Sequence, residues 1–66
     1  MGVNYRPLWI ELAKREMTKT DLQKKCDLTS NVLASMGKNQ YISMKNLEKI
    51  CKNLELTPNE VVEFKN

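Results

Sequence analysis

Apolar residues in this chain recur at helical spacing. Leu47, Ile50, Cys51 and Leu54 follow i, i+3, i+4, i+7 and lay one core-facing stripe along a helix. Leu8, Trp9 and Leu12 form a shorter stripe behind Pro7, which suits a first turn because its missing N–H is not needed there. A second pattern marks where helices begin. Four times a Ser or Thr follows an apolar residue and precedes another by four positions: Met17-Thr18 with Leu22, Leu28-Thr29 with Leu33, Ile42-Ser43 with Leu47, and Leu56-Thr57 with Val61. The hydroxyl accepts from an orphan N–H of the first turn, and the apolar pair fixes the angle at which the chain enters the helix. Asp21 and Glu60 stand three residues after Thr18 and Thr57, where an acid completes a capping box, and Pro58 follows Thr57 directly. The spacing predicts helices near 6–16, 18–25, 29–36, 43–54 and 57–63. No segment of four or more residues alternates as a half-buried strand would. The expectation is an all-α, compact five-helix fold, with residues 1–66 forming a single domain.

Size and composition narrow the function. Sixty-six residues, 41% of them apolar and 29% charged, suit a small globular domain with a modest core. There is no histidine, which removes the usual general base and metal ligand together. Cys26 and Cys51 lie too far apart for a Cys-x-x-Cys motif and read as small apolar core residues. No catalytic residue, metal ligand or cofactor is expected, and the chain is not expected to be an enzyme. No apolar run approaches the roughly 18 residues of a membrane span, and the first residues lack a signal-peptide stretch, so a cytoplasmic location is expected. The net charge of +3 is unevenly spread. Residues 14–45 carry seven basic side chains against three acidic ones, whereas the last third is slightly acidic. A basic middle weakly favours a polyanionic partner, and Lys24 and Lys25 read as a solvated helix face rather than as DNA contacts.

The second and third predicted helices are short, and about three residues join them. Asp27 stands where the chain must turn left-handed after the second helix; glycine fits that position best, and aspartate tolerates it. This is a helix-turn-helix pattern. The stretch from Met17-Thr18-Lys19-Thr20-Asp21-Leu22 through Cys26-Asp27-Leu28-Thr29-Ser30-Asn31-Val32-Leu33-Ala34-Ser35-Met36 resembles the Cro/C1-type helix-turn-helix of phage repressors and xenobiotic-response-element regulators. The block Ile42 to Leu54 is similar to that family's fourth helix, and Thr57 to Val62 to its fifth. The resemblance covers residues 5–64 and implies a lambda-repressor-like domain that binds operator DNA, often as a dimer on a palindrome.

Carried over by position, the resemblance implies base contacts from Ser30, Asn31 and Ser35 of the recognition helix, with Lys19 beside them. It implies phosphate contacts from the Gly37-Lys38-Asn39-Gln40 loop. The chemistry suits those roles. Asn31 can pair with adenine N6 and N7, lysine with guanine or a phosphate, and serine with several base edges. Thr18 and Thr29 sit at helix starts, where unpaired N–H groups can meet a phosphate, though both are caps in any case. Lys38, Asn39 and Arg6 complete the expected phosphate set. Against this, Ser30 and Asn31 suit the first turn of any helix, and the recognition helix has no Arg or Lys between Ser30 and Gly37. Trp9, Tyr41, Met17, Met36 and Met44 read as core or edge filler, and Phe64, Val61 or Ile10 as candidates for an apolar dimer patch.

These readings point to a sequence-specific transcription regulator, a repressor that reads double-stranded operator DNA through the major groove with helix 29–36. Double-stranded DNA is the expected partner, a homodimer is left open by the sequence, and no membrane or small-molecule cofactor is expected. The alternative is a protein-interaction module on the same fold, an accessory or antirepressor subunit.

Overall fold

The computed structural model describes residues 2–65. Three of the four start signals open helices as expected. Thr18 Oγ1 accepts from the Asp21 N–H at 3.1 Å while the Asp21 carboxylate accepts from the Thr18 N–H at 3.0 Å, a complete capping box. Thr29 Oγ1 accepts from the Val32 N–H at 3.2 Å, and Ser43 Oγ from the Asn46 N–H at 3.1 Å. The helices are α1 (Arg6–Lys14), α2 (Lys19–Cys26), α3 (Ser30–Gly37) and α4 (Met44–Leu54).

All four helices end in the same way, and none uses a left-handed glycine. Glu16, Asp27, Asn39 and Glu55 take φ of 55°, 54°, 57° and 56°. In each case the following N–H reaches back five residues: Met17 to Leu12, Leu28 to Gln23, Gln40 to Ser35 and Leu56 to Cys51, at 2.9–3.0 Å. Three of these junctions share one sequence, acid-apolar-Thr: Glu16-Met17-Thr18, Asp27-Leu28-Thr29 and Glu55-Leu56-Thr57. The apolar residue therefore serves twice, closing the outgoing helix and stapling the incoming one. Glu16 in this conformation is why α1 stops at Lys14 and does not run to 16.

The fourth start signal opens no helix. After Thr57 only a 3-10 turn forms, Pro58–Glu60, although the Glu60 carboxylate accepts from the Thr57 N–H at 2.9 Å. The five-helix, all-α expectation is corrected to four helices and a two-stranded sheet. Strand β2 (Glu63–Lys65) pairs antiparallel with β1 (Gly2–Asn4), setting Gly2 opposite Lys65, Val3 opposite Phe64 and Asn4 opposite Glu63. The sheet claims the backbone that a fifth helix would need, and the chain leaves the helical conformation after Val61.

One apolar cluster fills the interior. Tyr5, Leu8, Leu22, Cys26, Met36, Ile50, Leu54 and Val61 are its fully buried members, with Val3, Leu12 and Leu28 around them. Tyr5 is an anchor that the helical stripes did not reveal. Its hydroxyl donates to the Gln40 carbonyl and so ties the start of α1 to the loop after α3. Burial pushes its phenol pKa above the ordinary value. Trp9 and Leu33 are half-buried, and Tyr41 and Met44 are exposed, so neither of the last two is core filler. Val61 is buried and belongs to no surface patch. Cys26 and Cys51 are free thiols, and burial raises the pKa of both.

Candidate nucleic-acid interface

The α2–α3 pair is held from within by Leu22, Cys26, Leu28 and Met36, leaving its outer face polar. On α3 the exposed positions are Ser30, Asn31, Ala34 and Gly37, followed by Lys38. Asn31, Ala34 and Lys38 follow i, i+3, i+7 and lie on one helical stripe. Ser35, four residues after Asn31 and three before Lys38, shares this side of the helix but is half-buried, whereas Ala34 is exposed. Family position points to Ser35; Ala34, exposed beside it, stands on the same side of the helix.

The other expected residues fall around this stripe. Thr18 and Thr29 are exposed caps at the starts of α2 and α3. Gln23 of α2 donates to Ser30 Oγ at 3.4 Å, a link across the turn that sequence spacing alone did not show. Lys19 lies with its Nζ 4.5 Å from the centre of the Trp9 ring, a cation–π contact. Trp9 is in turn a wall of two hollows, one lined by Met17, Thr18 and Lys19, the other by Arg6, Asn39 and Lys65. The half-buried ring thus stands between the start of α2 and the end of α3.

No ion pair forms on this face among the described residues. Among the described residues the single ion pair is Arg15 Nε with Glu11, at 3.5 Å, away from the stripe. Arg15 also donates to the Leu54 carbonyl at 2.8 Å, and Lys49 to the Asp27 carbonyl at 3.2 Å, so both serve the fold. Arg6, Lys38 and Lys65 make no ion pair among the described residues. The Asp21 carboxyl is held below the ordinary carboxylate range by the Thr18 backbone N–H and hydroxyl.

A polar helical stripe on a capped two-helix unit, flanked by unpaired cations, is the arrangement of a DNA-reading domain. The family model for the Cro/C1-type HTH DNA-binding domain matches residues 7–66. The chain belongs to this family. It is a DNA-binding transcriptional regulator of the helix-turn-helix type, a family defined by DNA binding and not by catalysis. It is 36% identical over 58 residues to the uncharacterized HTH-type transcriptional regulator YozG of Bacillus subtilis (strain 168), spanning 85% of this chain and 69% of YozG. A crystal structure of the transcriptional regulator VanUg matches at a TM-score of 0.91 and 31% identity, over 94% of this chain and 83% of that one. No helix among the described residues of this Cro/C1-type chain is long and apolar enough to cross a membrane.

Proposed function

We propose that the chain is a sequence-specific repressor that enters the major groove of operator DNA with α3. The observation that carries this is the exposed Asn31–Ala34–Lys38 stripe on a Cro/C1-type helix-turn-helix. Asn31, Ser30 and Ser35 read base edges, and Lys19 joins them by leaving the Trp9 ring. Ala34 adds a methyl that suits thymine. Thr18, Thr29, Lys38, Asn39 and Arg6 hold the phosphates and fix the register. Such a domain represses by occupying the DNA, which requires no second activity, in the cytoplasm where that DNA lies.

A recognition helix without arginine reads weakly alone, and a second copy on an adjacent half-site compensates. Tyr41, Met44 and Phe64, exposed at 72, 78 and 79%, line one apolar groove with Ile42, Leu47 and Val62. That groove supports a homodimer. It also favours the second reading, an accessory subunit that docks a different protein there.

Fluorescence anisotropy on DNA from upstream of the gene, against scrambled DNA of equal length at two salt concentrations, tests the reading. Tight, salt-sensitive binding to the upstream site supports it. Equal weak binding to both duplexes defeats the sequence-specific part, and binding to neither favours the accessory subunit.

A further inference from the structure

We infer that the cleft between the β1–β2 sheet and the end of α3 seats a DNA backbone phosphate, with Lys65 as a second cation beside Arg6. The inference rests on the DNA-binding reading above and extends it to the last strand of the chain.

The cleft has a volume of about 290 Å³ and is lined by Asn4, Arg6, Trp9, Gly37, Asn39 and Lys65. Two cations and two amides line it, and no carboxylate does among the described residues. Glu63, opposite Asn4 and on the same sheet face as Lys65, is not among the residues that line it. Two like charges facing one hollow repel each other until an anion sits between them. The parts are fixed in position. The Asn4 Oδ1 accepts from the Arg6 N–H at 3.0 Å, Asn4 pairs with Glu63 in the sheet, and Asn39 is held left-handed at φ 57°. A Cβ built on Gly37 would meet nothing within 4 Å, so a sugar-phosphate strand has room to approach there.

Continuity with α3 identifies the anion. Gly37 and Asn39 flank Lys38 directly, and Trp9 joins this cleft to the hollow beside Thr18 and Lys19. A strand that passes Lys38 at the end of α3 runs on into the cleft, where the Arg6 fork and the Lys65 ammonium meet the next phosphate oxygens. The end strands therefore do more than close the core: their pairing carries Lys65 from the far end of the chain to the DNA face.

The test is the salt dependence of duplex binding by the full chain. Each phosphate neutralised adds about 0.9 to the slope of log K against log[salt]. Lys65→Gln should lower that slope by about 0.9 and weaken upstream and scrambled DNA alike, Arg6→Gln should act in the same way, and Lys65→Arg should restore the slope. Lys52→Gln, which removes one exposed charge from the end of α4, should leave it unchanged. Circular dichroism of each variant shows that the fold is kept. If Lys65→Gln binds with the wild-type slope while Lys38→Ala lowers it, the cleft is no phosphate seat and DNA reading by α3 survives. If Lys65→Gln and Lys52→Gln act equally, only net charge matters and the cleft is again refuted. If the wild-type chain binds no duplex, the DNA-binding reading itself falls.

Discussion

The face built by α2 and α3 and the groove beyond the 38–42 loop are made in opposite ways. On the first, the exposed side chains are polar and the helices beneath are fixed by caps and by Leu22, Cys26 and Met36. On the second, Tyr41, Met44 and Phe64 expose large apolar side chains that the core does not use. The polar face is fully formed in the isolated chain. The groove leaves apolar surface in water, which is unfavourable by roughly 25 cal/mol per Å² and is relieved only by a partner. In the proposed reading the difference separates two tasks in one small domain, contacting DNA on one face and docking a partner on the other.

Removing Leu22 undermines the polar face from beneath. Leu22→Ala should lower stability by about 2–5 kcal/mol, read by chemical denaturation, enough to unfold much of so small a domain. Leu47→Ala, at a half-buried groove position, should lower it by less and instead weaken self-association. Asn31→Ala should leave the fold intact, cost about 1–3 kcal/mol on the specific duplex and spare scrambled DNA, as competition anisotropy would read. Phe64→Asp should act on pairing. Sedimentation should show a monomer at concentrations where the wild type pairs, a loss of at least about tenfold or 1.4 kcal/mol, with helical content unchanged.

Much of the molecule could be read from the chain before its structure. The Thr18, Thr29 and Ser43 caps were legible because each is a local bond between a hydroxyl and an N–H three residues away. The same signal at Thr57 misled, because the length of a helix is set by the residues beyond its first turn. After Thr18, Leu22 and Cys26 bury one face; after Thr57, strand β2 begins within six residues. Strands of three residues are too short for any periodicity to show, so the sheet, and with it the position of Lys65, was not legible. The exposure of Ala34 was not legible because an alanine suits either face of a helix. Glu16 and Glu55 were missed as left-handed helix ends because glycine is the expected signal there.

Smaller perturbations sharpen the contrast. Thr18→Ala should destabilise the chain by about 1 kcal/mol through loss of the α2 cap, read by thermal unfolding. The partner carboxyl adds a pH dependence. The folded-state pKa of Asp21 lies below its ordinary value, so its contribution is present above the ordinary carboxylate range and lost as pH falls through the folded value. Asp21→Asn should flatten that acid limb of the stability profile. Glu55→Gly should act in the stabilising direction, by about 0.5 kcal/mol. The strain of a left-handed glutamate is removed, and the extra freedom of glycine in the unfolded chain takes back part of the gain. It should leave DNA binding unchanged.

The central claim, that DNA lies against α3, is tested most directly by following backbone amide shifts as the full chain is titrated with the upstream duplex. The account predicts that the largest shifts fall at Thr18 to Gln23, Thr29 to Asn39 and around Arg6 and Lys65. Shifts concentrated at Tyr41 to Leu47 and Val62 to Phe64, with α3 unmoved, would contradict it.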